Sequence, residues 1–178
     1  LIFDDLAMYC CISLRLGLNI SERGHNLMMY PDNVSSYALT PDKKHMVWNK
    51  TAHCYGSYWS YSHSVDGHIF KRLEMDSATS ELWELSEFRN WKQTPNEFES
   101  AIQRFWPLSS SIMVSPVESC VVNSPNNKVQ ESHNNRSGDI FEYNEKTLLE
   151  EYESGSRIDL EDLDFSNIKC PHTEIDIL

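Results

Sequence analysis

The sequence predicts an α+β protein in which a small antiparallel sheet packs on a pair of helices. Three observations predict it: an alternating aromatic and β-branched stretch between 45 and 75, a helical spacing that follows it, and a sharply punctuated second helix start at Thr94-Pro95. With 178 residues, 40% of them hydrophobic, the chain holds one substantial core but not two ordinary domains with a linker. Disordered chains lack the large apolar groups whose burial offsets chain entropy. Five Trp, eight Tyr and seven Phe therefore mark a folded body.

The elements follow in order. Phe3, Ala7, Cys10, Leu14 and Gly17 recur at spacings of three and four behind Asp4 and Asp5, where carboxylates complement the helix dipole. This predicts an N-terminal helix over 3–16 that ends at Gly17. Residues 19–44 lack periodicity, contain Gly24, Pro31 and Pro41, and are expected mainly as loop. Alternation over 53–63 puts His53, Tyr55, Trp59, Tyr61 and His63 on one face. Ser64-Val65-Asp66-Gly67 is a turn signal, and Ile69, Lys71, Leu73 and Met75 line the return, which predicts a β-hairpin over about 45–75.

Two helices are expected next. Leu82, Leu85, Phe88 and Trp91 recur every three residues, giving a helix over about 79–92 with Asp76, Ser77 or Thr79 as its cap. Thr94, Pro95 and Glu97 form a capping box with Pro at the first helical position. They open a helix over about 95–106 with Phe98, Ala101, Ile102, Phe105 and Trp106 on its apolar face and Pro107 as its stop. So few residues separate the two that an αα-hairpin is expected, carrying the sheet.

The folded α+β domain is therefore expected over 1–107, a Ser/Asn/Pro-rich linker over 108–139, and an irregular acidic extension over 140–178. Residues 144–155 are expected to form a short acidic helix. Residues 157–178 mix acids with Ile158, Leu160, Leu163, Phe165 and Ile168, a pattern of segments that fold on a partner. The charge supports the division. Residues 139–178 hold twelve Asp/Glu and three Lys/Arg, a net of −9 out of the chain's −12.

Chemistry-bearing patterns are sparse. Cys54, His63 and His68, with His53, His45 or Cys10, are zinc-ligand types, but paired-cysteine spacing is absent and alternation sends Cys54 and His63 to opposite faces. No metal site or cofactor is expected. The chain has no Gly-rich phosphate loop, G-x-S-x-G elbow or H-E-x-x-H motif, and its six glycines leave little room for one. A non-catalytic reading is therefore favoured over a Cys/His-dependent enzyme.

The partner reading starts from charge. Residues 43–72 carry Lys43, Lys44, Lys50, Lys71 and Arg72 against Asp66 alone. The expected function is a protein-interaction or regulatory module that binds a partner through an aromatic and basic hairpin and an acidic tail. Its expected contact residues are His53, Tyr55, Trp59, Tyr61, Lys71, Arg72, Leu160, Leu163 and Phe165. A protein partner is favoured, with nucleic acid as the lesser alternative. No stretch is long and apolar enough to span a membrane.

Five cysteines, an odd number with two adjacent and the rest far apart, favour an intracellular location. The sequons at Asn19, Asn33, Asn49 and Asn135 support the alternative, a secreted or receptor-ectodomain binding module carrying N-glycans. The sequence Ile175-Asp176-Ile177-Leu178 resembles the hydrophobic-acidic strands that add to a sheet edge in SUMO-type or PDZ-type recognition.

Overall fold

The computed structural model describes residues 8–25, 28–31, 33–53, 56–85, 95–105, 110–125, 140–141, 143–159, 161 and 163–176, and their side chains except those of 23–31, 95 and 105. In chain order the strands are β1 (Cys11–Ser13), β2 (Glu22–His25), β3 (Met28–Pro31), β4 (Ala38–Leu39), β5 (His45–Asn49), β6 (His68–Ile69) and β7 (Ile112–Pro116). The helices are α1 (Arg72–Glu84), α2 (Pro95–Phe105) and α3 (Glu145–Ser154). The protein is of the α+β class, as expected, but its main sheet is mixed rather than antiparallel.

That sheet has five strands in the order β4-β5-β7-β1-β6, and β2 pairs with β3 in a separate ribbon. β7 lies at its centre. Val114 stands opposite Val47 of antiparallel β5 on one side and Ile12 of parallel β1 on the other. Strands bonded on both edges and covered on both faces read as continuous runs rather than as alternation. Cys11-Ile12-Ser13 and Met113-Val114-Ser115 fit this, since all six residues are buried. β5 lies one place from the edge and alternates, with Met46 and Trp48 buried and His45 and Val47 less so.

The N-terminal helix is not formed where the chain is described, because Cys11–Ser13 is strand; residues 1–7 lie outside the described residues. Spacings of three and four do not exclude a short buried strand. The pairings of Ile12 with Val114 and Ile69 decide the matter, and both are remote in sequence.

The β-hairpin over 45–75 is also corrected. Among the described residues of that stretch, only His45–Asn49 and His68–Ile69 are strand, and β6 pairs with β1. Short 3-10 turns take up Lys50–Ala52 and Tyr58–Ser60. The cause is local: the side chains of Asn49 and Ser57 accept from the amides of Thr51 and Trp59 and bend the chain. Such bonds compete with a strand ladder. The Asp-Gly signal is a turn, with Gly67 at φ +63, but it leads into β6.

Helix α1 begins at Arg72 rather than near 79 and ends at Glu84 rather than near 92. Two of its hydroxyls bond back to carbonyls four residues earlier, Thr79 to Met75 and Ser80 to Asp76, so Thr79 is not the cap. Helix α2 covers most of its expected span. The two helices meet in a small core of Leu82, Ala101 and Ile102, with Met75 and Phe98 packed against it. Phe88, Trp91, Thr94, Trp106 and Pro107 lie outside the described residues.

The stretch expected as linker, 108–139, contains the central strand β7. Five residues are too few to declare themselves locally. Helix α3 forms where the acidic helix was expected. Asn144 and Thr147 make a reciprocal capping box, and Gly155 closes the helix in the left-handed region.

The end of the chain is less free than an irregular extension. Residues 163–176 cross the body as a strap in which Ile168, Cys170 and Pro171 are buried. The Asn19 side chain donates to the carbonyls of Phe165 (2.9 Å) and Ile168 (2.8 Å), and its oxygen accepts from the Ser119 amide (2.9 Å). Ser21 and Glu22 amides donate to Lys169, and the Asn123 amide to Pro171. Ile168 thereby joins the main core of Cys10, Cys11, Leu16, Ile20, Met46, Trp48, Tyr58, Trp59 and Met113. Trp48 and Trp59 meet edge to face at 5.3 Å there, and the Trp48 indole donates to the Trp59 carbonyl.

Gly17 sits where these segments converge. A Cβ at this position would lie 2.7 Å from the Glu118 carbonyl carbon and closer still to the Ser119 amide. Backbone cannot yield as a flexible side chain does. Gly17→Ala is expected to lower the unfolding free energy by about 2 kcal/mol or more, read as a lower urea midpoint at unchanged slope.

Candidate functional site

The nine expected contact residues do not share one surface. Tyr55 and Leu160 lie outside the described residues. Trp59 is fully buried beneath the sheet. His53 is half-buried, with its ring 6.4 Å from Trp59 and its Nδ1 3.3 Å from the Ser35 hydroxyl. Tyr61 is half-buried, and burial together with nearby Glu99 pushes its hydroxyl up to about 12. Lys71 is bonded to Glu74 at 2.7 Å, and exposed Arg72 lies 3.4 Å from Asp76 on the next turn of α1. Leu163 and Phe165 pack against the main core as part of the strap. The shared aromatic face required a strand over 53–63, and the described residues of that span form none.

Two buried polar clusters flank β1; sequence reasoning grouped only His63 and His68 of the first, as zinc-ligand types, and did not assemble the second. In the first, the Lys50 ammonium donates to the Ser62 hydroxyl at 2.9 Å, and Ser62 lies 3.3 Å from His63 Nδ1. Gln103 of α2 reaches the same His63 nitrogen at 3.4 Å. His68 Nδ1 donates to the Ser62 carbonyl at 3.1 Å and lies 3.9 Å from the Cys11 sulfur. Both rings pack on Phe70, His63 stacked at 5.8 Å and His68 tilted at 6.1 Å. Desolvation is the main reason that His63 is lowered to about 4 and His68 to about 3. Both imidazoles are neutral at physiological pH.

This cluster has nucleophile types beside base types, yet its chemistry is muted. The Cys11 thiol donates to Cys10, which raises Cys11 well above the ordinary thiol range and lowers Cys10. Cys10 and Cys11 are 1% and 3% exposed, and Ser62 is fully buried, so a substrate has no approach to any of them in this conformation. Covalent catalysis requires a nucleophile that the substrate can touch. No group of three or more His, Cys, Asp or Glu among the described residues is placed to hold a metal ion. Cys54 lies outside them.

The second cluster is built on Arg15, whose side chain is 3% exposed. Its NH1 donates to His172 Nε2 at 2.9 Å and lies 3.7 Å from Asp66. The guanidinium stands 5.2 Å from the centre of the Tyr58 ring, a cation–π contact. Asn123 donates to the same Asp66 oxygen at 3.1 Å. Glu99 of α2 faces the cluster, and burial raises its carboxyl above the usual range. The sequence held one signal for this site: Arg15 interrupts an apolar run, which is where a charge is either exposed or specifically partnered.

Helix α3 is the opposite case. It buries none of its residues. Leu149 is 54% exposed and Tyr152 62%, and beyond the helix Ile158 is 57% exposed. Glu145, Glu150, Glu151 and Glu153 surround them, and Arg157 folds back over the Tyr152 ring at 4.3 Å. Compared with protein-family models, curated proteins and solved structures, the chain matches none. Among the described residues no helix is long and apolar enough to cross a membrane.

The buried imidazoles set an acid limit on stability. Unfolded histidine titrates near 6.5, whereas folded His63 and His68 titrate at about 4 and about 3. The fold therefore binds fewer protons than the unfolded chain in this window. The stabilisation is complete above pH 6.5 and is lost as pH falls toward those folded values. Urea midpoints are expected to fall steadily between pH 7 and pH 4.5, before most carboxylates titrate. Equal midpoints at the two pH values would show that the rings are not held neutral.

Proposed function

We propose that the protein is a non-catalytic interaction or regulatory module that offers α3 to a protein partner bearing a basic groove with an apolar floor. The observation that carries this reading is that α3 is capped at both ends by its own flanks yet none of its residues is buried, with Leu149 and Tyr152 more than half exposed. A helix held by packing needs no such self-sufficiency, whereas one that is docked elsewhere gains from being formed in advance. Leu149 and Tyr152, three residues apart, lie on one side of the helix, in the helix-in-groove manner of recognition. Four surrounding glutamates select a cationic rim and speed encounter at low salt.

A secreted glycoprotein is the second reading, supported by the exposed sequon residues Asn33 and Asn49. Asn19 does not support it, since its amide nitrogen already donates to Ser119, Phe165 and Ile168.

A photo-crosslinking residue at Leu149 in the full chain, with one at exposed Leu73 of α1 as control, tests the proposal in extract of the source cells. A basic protein captured at 149 and not at 73 is expected, and the capture should fade as salt rises. The double variant Leu149→Ala, Tyr152→Ala should then bind the captured protein about tenfold or more weakly. Its own stability should change by less than about 0.5 kcal/mol, because neither side chain is buried. Equal capture at both positions would end the proposal.

A further inference from the structure

We infer that the outer edge of β4 is a binding site for an extended, acidic segment of a partner protein, which pairs there as a further strand of the main sheet. β4 stands at one end of the strand order, so one of its sides meets no other strand. The bonding pattern shows which groups that side offers. In β5 and its flanks the even positions face β7: the Lys44 carbonyl accepts from the Val117 amide, and the Lys50 amide donates to the Ser111 carbonyl. The odd positions face β4, where the His45 carbonyl accepts from the Thr40 amide at 3.0 Å. Residues of an antiparallel ladder alternate between inward and outward bonding. Ala38, opposite Val47, therefore bonds inward, and the amide and carbonyl of Leu39, opposite Met46, point away from the sheet.

The same register gives this edge an apolar face. Leu39 stands beside Met46, which is fully buried in the main core, yet Leu39 is 44% exposed, and so is Tyr37 two residues before it. The core layer thus runs out to the edge and stops uncovered. Sheet edges are usually guarded by a charge, a Pro or a covering segment. β4 is short, but residues 33–40 hold no charge and no Pro.

Charge selects the occupant. Lys43 and Lys44, both exposed, follow β4 in the turn to β5. Asp42, the one carboxylate of residues 33–44, is engaged by the Thr40 hydroxyl and the Lys44 amide and lies 3.8 Å from His45. At the opposite edge of the sheet the cations after β6 are matched within α1, Lys71 by Glu74 and Arg72 by Asp76. An extended segment would pair its backbone with Leu39, lay alternate apolar side chains over Leu39 and Tyr37, and set carboxylates against Lys43 and Lys44. This surface is distinct from α3, whose charge has the opposite sign, and does not rest on the role proposed for that helix.

Amide exchange and chemical shifts of the full chain test it, with a synthetic peptide of alternating valine and aspartate as probe and its valine and lysine analogue as control. In the free chain the Leu39 amide is expected to exchange freely and the Ala38 amide to be protected. The acidic peptide at millimolar concentration should slow exchange at Leu39 at least tenfold and move the signals of residues 37–39, and the basic peptide should do neither. Lys43→Glu combined with Lys44→Glu should weaken the acidic peptide at least tenfold while β5 and β7 keep their amide protection. A Leu39 amide that stays unprotected with the acidic peptide overturns the inference, as does an equal response to the basic one. Protection of Leu39 without peptide, in a chain that sediments as a dimer, also overturns it and assigns the edge to a second copy.

Discussion

Residues 112–116 are bonded along both edges, antiparallel to His45–Asn49 and parallel to Cys11–Ser13. This double pairing holds together parts of the chain about one hundred residues apart, and the rest of the structure depends on it. Chain entropy opposes such remote contacts until several form together. The burial of Met113, Val114, Met46, Trp48, Cys11 and Ile12 in the same layer stabilises it. Each large apolar side chain removed from water contributes about 1.5–3 kcal/mol. With β1 fixed beside the central strand β7, the loop after it is committed to close approach with 117–121, and Gly17 and Asn19 become the points on which the strap is hung.

The polar clusters are consequences of the same arrangement. β1 is short, so the chain turns immediately beyond it and brings Arg15 under the loop at 61–67. A buried guanidinium is costly unless charged and hydrogen-bonded partners surround it. Here those partners come from three remote segments: Asp66, Tyr58 and His172. The arrangement favours a single register of strap against body, because a slip by one residue removes the acceptor from Arg15. His63 and His68 are neutral for a different reason, desolvation beside Phe70 with Lys50 or Arg15 nearby.

The acidic end of the chain divides into two parts with opposite physics. Residues 145–154 make a helix stabilised by its own caps, with none of its residues buried and only Thr147 and Leu148 half-buried. Residues 163–176 have little regular structure, yet are fixed by backbone hydrogen bonds and by the burial of Ile168, Cys170 and Pro171. Net charge alone describes both parts equally and distinguishes neither. What separates them is whether apolar side chains find a complementary groove on the body, as Ile168 does and Leu149 does not.

The sequence by itself determined the features whose cause is local. Asn144, Thr147 and Gly155 specify α3 at both ends, and Ala101 and Ile102 mark the buried face of α2. The α+β class and the concentration of acid at one end were also legible there. The short strands were not, because two to five residues carry too little periodicity to separate strand from helix, and β1 and β7 are buried on both faces. The aromatic alternation over 53–63 misled for a related reason: Asn49 and Ser57 bend the backbone into turns and send Trp59 inward. Only the tertiary structure decided that Arg15 meets His172 and that Asn19 clasps the strap. Such contacts join residues more than one hundred positions apart, and no local pattern encodes them.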